Sequence, residues 1–285
     1  MNSDCKSRLK QEALIVAEQQ RRHERQERDN RLTKHDKTPT VVNGCVAFRL
    51  NSSGIQSSFH RRHLPQDCIA FSSPEGRTLF TEAITSSDPN YMQIYFPLAE
   101  QFTTQGEPAF CGLATLAMCL NALQIDPGRL WKGPWRWFSE ELFDCCTSLL
   151  VAKEKGISMS EFICLARCNG VMTVEYRATS SLTLEQFRAI VKHSCATSSE
   201  IIVLNYSRQV LGQSGDGHFS PIGGYHVERD MVLLMDVARF KYPPHWVKLS
   251  QVFKAMQRVD HSQPCCDSLA AVVAARRLAD VTSVT

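Results

Sequence analysis

Apolar residues recur at helical spacing at Leu113, Leu116, Ala117, Leu120 and Leu123, which predicts a helix docked on a core from about Cys111. Pro108 disfavours helix for the residue ahead of it and can itself open one, so Cys111 falls in or beside the first turn. Ser158 with Glu161 forms a capping-box pattern for a helix to about Arg167, and Thr183 with Gln186 repeats it for a helix to about His193. Ser139, followed by Glu140 and Glu141, predicts another N-cap, with a helix through Leu150. Leu79 to Ile84 reads as a short helix entered through the turn Ser73-Pro74-Glu75-Gly76, and Tyr91 to Ala99 as a helix or an extended lead-in.

The second half of the chain changes period. Val171 to Arg177 alternates like a strand, and Ile201 to Tyr206 is a continuous apolar run of the kind found in buried strands. After a glycine-rich loop, Gly212 to Gly217, the stretches HFSPIGGYHV and MVLLMDVA flank a turn at Glu228-Arg229-Asp230 and predict an antiparallel hairpin. Helices first and an antiparallel sheet afterwards predict an α+β fold, with the Cys111 helix packed on the sheet. Ile125 to Phe138, with a Pro-Gly turn and three tryptophans, predicts an ordered aromatic loop over that helix.

The flanks differ in texture. Residues before about Asp36 carry mixed charge and predict a solvated helix or a disordered arm; Val41 to Leu50 reads as a strand and Ser52 to Gln56 as linker. The expected division is therefore a charged arm and linker over 1–60, a globular domain over 61–262 and a short tail over 263–285. In that tail Leu269 to Ala274 reads as a strand or a helix, or leaves the sheet without an edge.

With 285 residues, 43% hydrophobic and 21% charged, the chain suits one domain of about 200 residues with extensions. The net charge of +3 is too small to argue for a nucleic-acid partner. No run approaches the roughly twenty apolar residues of a membrane helix, so no membrane partner is expected. The start, MNSDCKSRLKQEALIVAEQQRR, fits neither a secretory signal nor a transit peptide. Twelve cysteines, with adjacent pairs Cys145-Cys146 and Cys265-Cys266, suit thiol or metal chemistry better than a secreted disulfide framework, so a reduced, cytoplasmic setting is expected.

Cysteines on apolar helix faces are usually packing, and Cys119 is read that way. Cys111 differs in its place: unpaired N–H groups at a helix start favour thiolate, the form that attacks acyl carbon. Asp236 ends an apolar run and is costly to bury without a partner. An imidazole N–H from His218 would satisfy it and leave the other ring nitrogen facing the thiol. Simple hairpin register leaves the two out of line, so Gly223-Gly224 is expected to supply a bulge. His226 and His245, the latter beside Pro244 in a loop, are the competing histidines. Gln105, six residues before Cys111, has an amide that with the Cys111 N–H could form an oxyanion hole.

These residues lie in the motifs QGEPAFCGLATLAMCLNAL, IDPGRLWKGPWRWF, GHFSPIGGYH and DVARFKYPPHW. Together they closely resemble the catalytic domain of phytochelatin synthases, papain-like glutathione γ-glutamylcysteinyltransferases, from about Arg61 to about Asp260. The resemblance implies a papain-like fold and a dipeptidyl transpeptidase that makes phytochelatins from glutathione through a Cys111 acyl-enzyme, releasing glycine, in heavy-metal detoxification. It assigns His218, Asp236 and Gln105 as the other catalytic residues and Arg208, Arg239 and Lys241 as substrate-binding. Glutathione and metal–glutathione complexes are the implied partners. Heavy-metal ions such as cadmium or zinc are the implied activators, acting mainly through a metal–glutathione acceptor, with no organic cofactor. The family's cysteine pattern is also present at Cys145, Cys146, Cys164 and Cys168, and Cys164-x₃-Cys168 puts two thiols on one helix face, a possible metal half-site. Two rival readings stand beside this one: a hydrolase of glutathione or its conjugates using the same residues, and a non-enzymatic cysteine-rich metal buffer.

Overall fold

The computed structural model describes residues 41–42, 45–46, 61–85, 89–179, 181–258 and 270–276. The chain divides into two units, Met1–Ser58 and Phe59–Thr285. In the first, β1 (Val41–Val42) pairs antiparallel with β2 (Cys45–Val46). The single strand expected over Val41 to Leu50 is thus a short hairpin where it is described. The charged arm and the Ser52 to Gln56 linker lie outside the described residues.

The second unit is built on a seven-stranded, wholly antiparallel sheet. Its strands are β3 (Cys68–Ala70), β4 (Val171–Arg177), β5 (Glu200–Tyr206), β6 (His218–His226), β7 (Met231–Leu234), β8 (His245–Lys248) and β9 (Ala270–Arg276), in the spatial order β3-β8-β7-β6-β5-β9-β4. Around it lie α1 (Pro74–Thr85), α2 (Tyr95–Glu100), α3 (Cys111–Ala122), α4 (Leu149–Lys155), α5 (Met159–Cys168), α6 (Leu184–Cys195) and α7 (Leu249–Met256). The α+β class expected from the change of period is the one observed. Among the described residues no helix is long and apolar enough to cross a membrane.

β6 is the central strand, and all nine of its residues are buried because α1, α3 and α6 all pack against it. The apolar stripe of α3 understates its burial: every residue from Gly112 to Leu120 is inside. Thr115 is satisfied there by donating its hydroxyl to the Phe219 carbonyl, 3.3 Å away. Gly112 permits the close approach, since a Cβ at that position would stand 2.5 Å from Ile157 Cγ1 and 3.3 Å from the Phe219 ring. Phe219 in turn stacks on Phe162 of α5 with ring centroids 5.2 Å apart. These contacts fix the start of α3 against the start of β6, so Cys111 and His218 are brought together by core packing.

Both capping boxes form as the sequence predicts, at Ser158 with Glu161 and at Thr183 with Gln186. The Ser139 start does not. Glu140–Leu142 is only a 3₁₀ turn, Ser139 makes no side-chain cap, and the helix begins at Leu149 with Ser148 as its N-cap. The reason is a longer-range contact: both Glu140 carboxylate oxygens accept the Gly106 N–H, at 3.0 and 3.1 Å. Cys146 is also cross-linked to Cys164 of α5 across a Cα separation of 6.3 Å, a second long-range tie on the segment ahead of α4.

Two further differences concern the sheet. His245, expected in a loop, instead opens strand β8 between β3 and β7, because the loop ends at Pro244. The tail beyond residue 263 contributes β9, which pairs with both β5 and β4. The pattern AAVVAA is rich in β-branched and small residues, and its two neighbours supply the pairing that makes it a strand.

Candidate active site

Cys111 is the first residue of α3, half-buried, with Phe110 ahead of it offering no side-chain cap. The helix's first N–H groups therefore point at the thiol's surroundings without a competing acceptor. Burial alone would push the thiol upward. The charge of His218, a side-chain hydrogen bond from that ring, the Phe219 N–H and the charge of Arg208 together outweigh it and hold the thiol below its ordinary value.

The far nitrogen of the ring is anchored. His218 Nε2 donates to Asp236 Oδ1 at 2.9 Å, and the Ala238 N–H reaches the same oxygen at 2.8 Å. Asp236 Oδ2 accepts from Arg208 at 2.6 Å. Asp236 has no exposed surface, yet its carboxyl is held far below the usual range: burial opposes ionisation, and His218, Arg208 and His245 more than offset it. For His218, burial and Arg208 favour the neutral ring, while Asp236 and Cys111 raise it above its ordinary value. Opposite shifts of thiol and imidazole favour a thiolate–imidazolium pair.

The expected bulge makes this geometry. Pairing of β6 with β7 shifts register between Ile222 and Gly224, and the Met235 N–H bonds to the Pro221 carbonyl at 3.1 Å. A Cβ on Gly223 would lie 2.6 Å from Met235 Sδ, so glycine lets the strands pass here without displacing that side chain. The shifted chain carries Asp236 across to the ring at the start of β6.

A cavity of about 570 Å³ opens at this point, lined by Cys111, His218, Gln105, Arg208 and Lys241 among others. Arg61, Arg62 and Lys155 also line it, and none was singled out by the sequence reading. The adjacent arginines at the start of the globular region were their available signal. Burial and the Arg208 charge push the Lys241 amine below its ordinary value.

Three assigned roles meet a different geometry. Arg208 is 2% exposed and committed to Asp236 and to Gln213 Oε1 (2.7 Å), so its guanidinium already has protein partners. Arg239 is not among the cavity-lining residues; its guanidinium sits 4.7 Å from the centre of the Phe102 ring. Gln105 lines the cavity, but its amide nitrogen donates to the carbonyls of Glu107 (2.8 Å) and Pro108 (2.9 Å), while its buried Oε1 has no partner. An amide with both protons engaged is no oxyanion donor until the 105–110 loop releases one. Of the competing histidines, His226 bonds to Glu82 at 2.9 Å and His245 to Gln213 at 2.9 Å.

The cysteine group lies elsewhere. Cys146 is bonded to Cys164, so the half-site read from Cys164 and Cys168 is not formed. Cys145 and Cys168 remain free thiols, with sulfurs 3.6 and 3.8 Å from that of Cys146.

A family model described as phytochelatin synthase matches residues 59–264. Glutathione gamma-glutamylcysteinyltransferase 1 of Arabidopsis thaliana is 51% identical over 207 residues, which is 72% of this chain and 42% of that one. The glutathione gamma-glutamylcysteinyltransferase of Schizosaccharomyces pombe is 44% identical over 220 residues, 77% of this chain and 52% of that one. The chain thus spans about half the length, or less, of these relatives. Among solved structures, a double glycine motif protease from an AMS/PCAT transporter in complex with the leader peptide matches at TM-score 0.36 and 16% identity, covering 60% of this chain and 89% of that one, a likeness too slight to bear on this fold. The match across the whole region that holds Cys111, His218 and Asp236 places the chain in the phytochelatin synthase family.

Proposed function

We propose that the chain is a cysteine-dependent acyltransferase that takes γ-glutamylcysteine from one glutathione and passes it to another. The observation that carries this reading is the Cys111 thiol at a helix start, lining one cavity with His218 and held below its ordinary value by that ring, which is itself anchored by the fully buried Asp236. In this reading the Cys111 thiolate attacks the carbonyl of the substrate's Cys–Gly amide. The Cys111 N–H and a Gln105 proton freed from Pro108 receive the oxyanion. The His218 imidazolium gives its proton to the departing glycine nitrogen as the C–N bond breaks, leaving a thioester. His218, now neutral, takes a proton from the amine of the second glutathione as that nitrogen displaces the sulfur. The products are glycine and (γ-Glu-Cys)₂-Gly, and repetition lengthens the chain.

Glutathione is a net anion near neutral pH, and Arg61, Arg62, Lys155 and Lys241 give the cavity a basic wall to receive its carboxylates. The acceptor is glutathione, free or as a thiolate complex with a soft metal such as cadmium or zinc, which the metal accompanies as part of the substrate. The setting is cytoplasmic, in heavy-metal detoxification. Incubating the purified chain with glutathione and cadmium tests the whole reading. Oligomeric γ-Glu-Cys peptides with stoichiometric glycine are expected. γ-Glu-Cys alone would mean hydrolysis with water as acceptor, and no glycine release would leave only a metal-binding role.

A further inference from the structure

Hydrogen bonding does not stop at Asp236. Arg208 NH1 donates to Gln213 Oε1 at 2.7 Å, Gln213 Nε2 meets His245 Nε2 at 2.9 Å, and His245 Nδ1 meets the Pro243 carbonyl at 2.9 Å. Arg208, Gln213 and His245 are 2%, 4% and 0% exposed, so water cannot substitute for a lost partner. Proton directions along this row are forced. Arginine only donates, so Gln213 must turn its oxygen to Arg208 and its N–H₂ to His245. His245 Nε2 must then accept, which leaves Nδ1 as the protonated nitrogen, aimed at an acceptor it requires. Burial disfavours a charged His245 ring, consistent with that neutral tautomer.

Resting on the acyl-transfer reading, we infer that Gln213 and His245 are positioning residues for the reactive centre, holding Arg208 on Asp236 and so keeping His218 aimed at Cys111. Arg208 has another place to go, because it lines the cavity in which an anionic substrate would sit. A guanidinium drawn toward substrate carboxylates would leave Asp236 Oδ2 unpaired and loosen its grip on His218. Gln213 opposes that swing by occupying the second guanidinium nitrogen. His245 opposes rotation of Gln213 from the first residue of β8, a strand paired on both sides with β3 and β7. A backbone bond from the Gln213 N–H to the Arg208 carbonyl, 2.9 Å, closes the loop between them.

Gln213→Leu and His245→Leu remove the polar links while keeping bulk, and His245→Gln keeps an acceptor for Gln213. The assay is glycine release from glutathione by the full chain, with thermal melting of each variant. Each leucine variant is expected to lose about tenfold or more in kcat, the scale of a modest misplacement of reacting groups, without a rise in KM for glutathione. The basic limb of its pH profile should move to higher pH, because Arg208 favours the neutral His218 ring and is drawn away from Asp236, and His245→Gln should recover most of the loss. The double leucine variant should be no worse than the weaker single one, since both act through one row. Folded leucine variants with parental kcat and pH profile would overturn the inference and leave the acyl-transfer reading standing. If the leucine variants do not fold, Gln213→Glu serves in their place. Its carboxylate competes with Asp236 for Arg208 and is expected to lower kcat; parental kcat there would overturn the inference. A parental enzyme that releases no glycine would overturn the reading itself, and this inference with it.

Discussion

A buried aspartate is the most informative single residue in this chain. Asp236 is ionised without any exposed surface because it collects three donors, from His218, Ala238 and Arg208. Cost of burial is readable in sequence, which is why Asp236 and His218 were legible there. Arg208 was legible as a charge near the site, but sequence does not say whether a cation answers a ligand or a neighbouring carboxylate. Gln105 shows the same limit: its spacing placed it in the cavity, and only coordinates reveal that its amide protons are bonded to Glu107 and Pro108. The opposite shifts of Cys111 and His218 have a consequence for pH. The thiolate–imidazolium pair exists above the lowered thiol pKa and below the raised imidazole pKa, so kcat/KM for glycine release should be bell-shaped. Asp236→Asn removes a charge that raises the imidazole, so its basic limb should move to lower pH and kcat should fall by about a hundredfold or more. An unchanged basic limb in a pH-rate series would count against the assigned ring partner.

Elements whose ends are set by their own residues were readable, and those set by distant contacts were not. The two capping boxes need only residues three apart, and both form. Ser139 carries an equally good local signal, but Glu140 is taken by the Gly106 N–H, thirty-four positions back in the chain. The bulge at Gly223 was legible because two polar residues had to meet across a hairpin whose plain register kept them apart. At α3 the sequence showed one apolar stripe, whereas the helix is buried on all sides. That burial makes Gly112 sensitive. Gly112→Ala puts a methyl group against Ile157, and overpacking of this kind should cost roughly 1–3 kcal/mol. Thermal melting should show a loss of roughly 2–12 °C for a domain of this size. A variant melting with the parent would mean that α3 is less tightly seated on α5 and β6 than described.

At the scale of the whole unit, the sheet is closed by parts of the chain far apart in sequence. β9 comes from residues 270–276 yet lies between β5 and β4. Such pairing has no local signature, so the segment could be read as a strand, as a helix or as nothing. Ending the chain at residue 268 should leave β4 without a partner and expose the edge of β5. The expected result is a melting temperature lower by roughly 10 °C or more, with a tendency to associate through the open edge. An unaltered melt and a monomeric elution profile would contradict the pairing. β5 also pairs with β6, which carries His218, so that loss is expected to reach the cavity as lower glycine release.

In the proposed reaction one sulfur, that of Cys111, carries the acyl group between two glutathiones. Rapid quenching of the full chain with glutathione, followed by intact mass and peptide mapping, tests it directly. The account predicts a mass increase of one γ-glutamylcysteinyl group, located on the peptide that contains Cys111 and absent from Cys111→Ser. Turnover without such an adduct, or an adduct on another cysteine that persists in Cys111→Ser, would contradict it.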